Sequence, residues 1–218
     1  MKSLLKEFEI FLSSLNLTEY RETYTKYKTV ELNLSKRILP LRHIYQEYWH
    51  KYSDWKDYNK FYSFYYSDLK QEIEDFRDKH FFSKETFRIG FKARIYRTWV
   101  SLLTQVQGAY VCAELFGFEN VKMNPKNDML GKDIVIKKGL DEKIIQIKKQ
   151  SNRQDFKRGK IGQYPEVVYQ VPPKNKLLKN GEKSKSFKDW ESKYSNKLKL
   201  LPNNFIVFKR AMFENIFF

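Results

Sequence analysis

Long hydrophobic runs, cysteine pairs and clustered histidines are all missing from this chain. No stretch approaches the roughly 20 apolar residues that a membrane-spanning helix requires, so no membrane partner is expected. The opening MKSLLKEFEIFLSSL places charges inside its apolar periodicity, unlike a signal peptide. A single cysteine, Cys112, excludes an internal disulfide and suits a reducing cytoplasm. Three histidines, His43, His50 and His80, give with that cysteine no zinc-binding spacing. Acidic residues are few relative to basic ones: 26 Asp+Glu against 42 Lys+Arg, a formal net charge of +16. An excess of this size attracts polyanions, nucleic acid first among them. No internal repeat, heptad array or low-complexity tract stands out.

Aromatic residues are abundant, with 15 Tyr, 18 Phe and 4 Trp in 218 residues. At 41% hydrophobic content the chain can bury a large core, as one domain or a tightly fused pair. Helical periodicity dominates the first half. Leu4, Leu5, Phe8, Phe11, Leu12 and Leu15 predict a helix over 3–15, and Tyr20, Tyr24 and Tyr27 one over 18–28. After Pro40 a stripe runs from Leu41 through Tyr48 to Trp55, and a similar one from Tyr58 to Phe76 covers 57–80. Such stripes either stack nucleotide bases or pack helices together, and the helical spacing favours packing. The strongest signal spans 83–116, with Phe87, Phe91, Ile95, Trp99, Leu102, Leu103, Val106 and Tyr110 on one face. Ser83 is placed as its N-cap and Gly117 as its terminator. Arg88, Lys92, Arg94 and Arg97 line its first turns, as a solvated face or one that meets phosphate.

Past Gly117 the period shortens. Strands are expected at 119–123, 133–136, 144–149, 167–171 and 205–208, and a helix at 187–200. The stretch 174–199 is strongly basic, nine Lys against Glu182, Asp189 and Glu191. The centre of this half is NPKNDMLGKDIVIKKGLDEKIIQIKKQ, residues 124–150. As a hairpin turning over 137–143, it returns Gln146 and Lys148 beside Asp133, with Asp128 in the preceding turn. Mg²⁺ prefers oxygen ligands and takes few carboxylates. Asp133, Asp128 and the Ile147 backbone carbonyl could supply them, with the Gln146 amide nearby. Lys148, on the face of Gln146, could stabilise charge at a phosphate. The spacing alone also fits an ordinary hairpin with a solvated Asp and Lys. From 122 to 160, however, twelve Lys or Arg surround five acids, which suits a metal held against a polyphosphate.

Several stretches, in order, resemble the TaqI-type restriction endonucleases of the wider PD-(D/E)xK nuclease group. They are the opening FEIFLSSLNLTEYRETYTKYKTVELNLSKRILPL, then RIGFKARIYRTWVSLLTQ (88–105), GKDIVI (131–136), IIQIKK (144–149) and LPNNFIVFK (201–209). The resemblance implies an α/β (α+β) protein. A helical region, 1–116, would pack on a small mixed β-sheet catalytic core with flanking helices, 117–218. It implies a Mg²⁺-dependent endonuclease cutting double-stranded DNA at a short palindrome, TCGA in the family. Asp128 and Asp133 match the family's aspartates, Lys148 its lysine, and Lys149 is the second candidate. Gln146 stands where the wider group has an acid, as in the TaqI-type enzymes themselves. Lys92 departs from the pattern, replacing a family glutamate. A palindromic target implies a homodimer on DNA. A prokaryotic cytoplasm and a cognate DNA methyltransferase in the same host complete the expectation. Candidate DNA contacts are Arg153, Lys157 and Arg158, just past the second catalytic strand, and Arg94 and Arg97 on the long helix. Two other readings remain: a non-catalytic basic DNA-binding module, and a nuclease of the same group with a repair or nicking role.

Overall fold

The aromatic stripes are helix-packing surfaces. The computed structural model describes residues 3–24, 30, 32–150, 164–173, 176–178 and 181–217. These form two compact units, Met1–Val106 with Pro202–Phe205, and Gln107–Leu201 with Ile206–Phe218.

The first unit is helical. α1 (Leu4–Ser14) starts at Ser3, whose side chain accepts the Lys6 N–H, and it buries Phe8 and Leu12. α2 (Leu17–Tyr24) buries Leu17, Tyr20 and Tyr24. α3 (Leu41–Tyr48) stops well short of Trp55. The reason is Glu47, a buried carboxylate that takes the Lys56 N–H at 3.0 Å and the Lys56 ammonium at 2.6 Å. It thereby draws the following loop back onto the helix. The 57–80 stripe is two helices, α4 (Tyr58–Asp68) and α5 (Lys70–Lys79). They break at Leu69, whose φ of −116° and ψ of 25° leave the helical region. The apolar spacing carries across that one residue, so periodicity alone does not reveal the break. The unit also contains the start of α6 (Lys84–Phe116), with Trp99 fully buried. The Tyr58 ring lies 5.8, 5.2, 5.1 and 5.2 Å from those of Tyr20, Tyr24, Tyr96 and Trp99. Polar tips inside this cluster are satisfied. The Trp99 indole donates to the Tyr48 hydroxyl at 2.8 Å, and Tyr48 donates to the Lys56 carbonyl at 2.6 Å.

The second unit opens with the last turns of α6. Gly117, at φ 93°, ends that helix. β1 (Val121–Lys122), β2 (Ile134–Lys138), β3 (Asp141–Gln150) and β4 (Glu166–Gln170) form a mixed sheet in that order. β1–β2 and β2–β3 are antiparallel, and β3–β4 is parallel. The expected 137–143 turn contracts to two residues, Gly139 and Leu140, because positive φ at Gly139 (62°) permits a tight reversal. The chain between β1 and β2 includes α7 (Pro125–Asp128). α8 (Lys185–Tyr194) begins at Ser184, whose side chain accepts the Phe187 N–H. It ends earlier than its apolar spacing predicts. Leu198 instead enters β5 (Leu198–Leu200), which pairs antiparallel with β6 (Ile206–Phe208). Strand pairing there overrides helical periodicity. The Gln107 amide makes both strand-like hydrogen bonds to Phe208, donating at 3.0 Å and accepting at 2.8 Å. A Cβ at Gly108 would lie 3.2 Å from Ile147 and Phe208 atoms, so α6 approaches the sheet closely there. The fold is α+β. Among the described residues no helix is long and apolar enough to cross a membrane.

Candidate active site

The site is assembled where β2 begins and β3 runs past it. Asn124 caps α7 by accepting the Asn127 N–H at 2.9 Å, and Pro125 presets the first turn. Asp128 therefore sits at the end of a one-turn helix rather than in a simple turn. The chain leaves it through Gly131, whose φ of 76° favours glycine. A Cβ there would also lie 2.8 Å from the Gln146 side-chain nitrogen. Glycine thus brings the Asp128 segment against β3.

Asp133 lies one residue before β2 and is 5% exposed. Its Oδ2 accepts the Ile147 N–H at 2.7 Å, at the position where the β2–β3 ladder would otherwise continue. Burial pushes the Asp133 carboxyl up to about 7, and the Ile147 N–H opposes that rise. Asp128 adds to it through like charge and a direct hydrogen bond between the two carboxyls, while the Lys148 ammonium pulls it back. The two aspartates thus meet as a carboxyl pair.

The Ile147 carbonyl belongs to the same geometry. N–H and C=O of one strand residue point to the same edge, so this carbonyl faces the Asp133 side. The Lys132 N–H, which a continued ladder would offer to it, is donated to Asn127 O at 2.9 Å instead. Among the described residues no group of three or more His, Cys, Asp or Glu is placed to hold a metal. Two carboxylates with neutral oxygens remain, a donor set of the kind Mg²⁺ accepts. A buried carboxylate set against a second acid is also the electrostatic setting that a cation would improve.

Alternation along β3 separates the lysines. Ile145 and Ile147 are buried on one face, while Gln146 and Lys148 point to the other. Lys149 shares the isoleucine side and is exposed at the strand's end. On β4, Glu166 is in register with Gln146 and forms an ion pair with the Lys148 ammonium. Glu166 is the residue that sequence reasoning missed. The expected strand began at 167, and only the parallel register sets Glu166 beside Gln146. Its one sequence signal is an acid at the edge of a strand in a basic region.

The structure therefore brings together Asp128, Asp133, Gln146, Ile147 and Lys148. Arg153, Lys157 and Arg158 lie outside the described residues. Arg94 and Arg97 are in the first unit on α6. Arg94 is half-buried, and its Nε has no hydrogen-bond partner among the described residues, while Arg97 is exposed. Lys92, also in the first unit, has its ammonium over the rings of Tyr24 and Tyr62, at 5.4 and 5.3 Å.

Comparison with known proteins gives a consistent result. The family profile described as TaqI restriction endonuclease matches residues 5–217. The type II restriction enzyme TaqI of Thermus aquaticus is 28% identical, over 97% of this chain and 86% of that protein. The type II restriction enzyme TthHB8I of Thermus thermophilus is 25% identical, over 99% of this chain and 87% of that protein. No solved structure matches. With the family profile spanning nearly its whole length, the chain belongs to the TaqI restriction endonuclease family.

Proposed function

We propose that this chain is a type II site-specific endonuclease that hydrolyses double-stranded DNA at a short palindrome of the TCGA kind, with Mg²⁺ as cofactor. The observation that carries this reading is the hydrogen-bonded Asp128–Asp133 carboxyl pair, set beside the Ile147 peptide at the open end of the hairpin. Family membership supports DNA as the substrate. Asp128, Asp133 and the Ile147 carbonyl are the ligands in this reading. When bound, a divalent cation shields the scissile phosphate and lowers the pKa of a water. Asp133 must be ionised for that binding, so metal uptake and its deprotonation are coupled.

Lys148 stabilises charge that builds on the phosphate, and its ion pair with Glu166 holds it on the face of Gln146. Lys149 is the weaker candidate because it points to the opposite face of β3. Gln146 leaves the site one negative charge short of the wider group's pattern, which makes Asp128 the more important ligand. The +16 charge supports backbone attraction. Arg94, Arg97, Arg153, Lys157 and Arg158 serve as phosphate or base contacts in this scheme. A homodimer would match the two-fold symmetry of a palindrome, in a prokaryotic cytoplasm with a cognate methyltransferase protecting host sites.

The test is Asp133→Ala in a plasmid digest with Mg²⁺. Cleavage falls by at least about 10³-fold, because the cation's contribution is several kcal/mol and each 1.4 kcal/mol is tenfold. DNA binding survives. Wild-type cutting by this variant would remove Asp133 from the chemistry. With the unaltered protein, discrete double-strand fragments are expected. No cutting would point to a binding module, and nicks without site preference to a repair or nicking enzyme.

A further inference from the structure

The first unit contains a cavity of about 670 Å³ that the cleavage chemistry does not use. Tyr24, Tyr62 and Tyr66 contribute to its wall, and Lys70, Arg88 and Lys92 bring three cations to it. No acidic side chain is among its described lining residues. The cations are placed by helical spacing. Arg88 and Lys92 are one turn apart on α6, and Tyr62, Tyr66 and Lys70 follow one face of α4 into α5. Among the described residues none of the three forms a salt bridge with an acid. Lys92 instead lies over the Tyr24 and Tyr62 rings, which shields it from water without neutralising it.

A second observation is independent of charge. Tyr62 is 8% exposed, yet among the described residues its hydroxyl has no hydrogen-bond partner. Buried hydroxyls are almost always paired, and an orphan costs roughly 1–3 kcal/mol. Elsewhere in this unit the buried Tyr48, Tyr58 and Tyr65 hydroxyls all donate to backbone carbonyls. Tyr62 is the exception, and it lines the cavity. Its hydroxyl lies close enough to Arg88 for that charge to favour the phenolate, against the larger effect of burial.

We propose that this cavity binds a nucleotide through its phosphate, with Arg88 and Lys92 taking the phosphate oxygens, Lys70 at the rim and the Tyr62 hydroxyl, shielded behind the wall in this structure, turning to donate to the same ligand. The volume falls in the range of organic-ligand sites, roughly 300–1,000 Å³, and exceeds what a bare anion fills. The tyrosine-lined wall suits a flat ring beside the phosphate. The nucleotide comes either from the free pool or from a DNA strand.

The test is calorimetric titration of the full chain in EDTA with adenosine 5′-monophosphate, adenosine and inorganic phosphate. The monophosphate should bind at least tenfold more tightly than either fragment. Arg88→Ala should weaken it at least tenfold, and Tyr62→Phe several-fold, with melting temperatures showing that each variant folds. Arg88 is exposed, so its replacement spares the core. Lys70→Ala, another surface change, is a second check and should weaken binding by a smaller factor. No binding of the monophosphate at millimolar concentration overturns the proposal. So does equal binding of adenosine, or wild-type affinity in Arg88→Ala. A short DNA duplex then identifies the source. Displacement of the monophosphate by the duplex assigns the site to a DNA strand, and independent binding assigns it to the free nucleotide. Asp133→Ala should leave monophosphate binding unchanged, so this test stands apart from the cleavage assignment.

Discussion

The two units treat a buried acid in opposite ways. In the first, the buried Glu47 and the Trp99–Tyr48 pair beside it are closed off by the fold itself. Trp99 bonds Tyr48, Tyr48 bonds a carbonyl, and Glu47 takes both donors of Lys56. In the second, Ile134, Ile136, Ile145 and Ile147 border a buried acid whose side-chain partner is another acid. Satisfied networks fix a structure, whereas a like-charge pair held together costs stability. A local cost of this kind is the mark by which a candidate site is told from the core.

The largest expected effect is the cleavage loss in Asp133→Ala, which leaves the first unit intact. Next is Trp99→Ala, which opens a cavity in the first unit and should cost about 3–5 kcal/mol in denaturant unfolding. Asp133→Asn should have the opposite sign. It keeps an acceptor for Ile147 and removes the charge conflict, so without metal at pH 8 the protein should become more stable. A lower melting temperature in that variant would contradict the like-charge account.

The pH dependence sharpens the contrast. The Asp133 carboxyl is raised in the folded state to about 7, from an ordinary value of 3.8. A group raised in this way favours folding while protonated. Its stabilisation is complete below about pH 4, the unfolded range, and is lost as pH rises through about 7. In EDTA, this contribution should therefore weaken between pH 4 and 7. Added Mg²⁺ should raise the melting temperature more at pH 8 than at pH 5, because it binds the ionised pair. Equal Mg²⁺ shifts at both values would argue against carboxylate ligation. The smallest effect belongs to Glu166→Gln, which loosens Lys148 without removing it. Cleavage should fall about tenfold, the low end for groups that orient a metal site, with site preference unchanged.

The stripes from Leu41 to Trp55 and from Tyr58 to Phe76 place the helices because each carries a burial pattern, but not their ends, since the first helix stops at Tyr48 and the second stripe is two helices. Breaks such as Leu69 are not legible, because the apolar spacing runs through them. The Leu198 strand is hidden for a different reason: its partner lies at 206–208, and no local pattern encodes a pairing.

By itself, the sequence determined the helical first half, the strand-rich second half, the basic field and the Asp128/Asp133/Gln146/Lys148 spacing of the central stretch. These are properties of composition and period, and they survive without a fold. Tertiary structure decided three further matters. It set the two carboxyls in contact, which needs Gly131 to carry the chain against β3. It chose Lys148 over Lys149 for the face of Gln146, through the pleat of β3. It also brought in Glu166, because a parallel neighbour strand sets an acid 20 positions along the chain beside Gln146. Contacts of that kind depend on register, and register exists only once strands have paired.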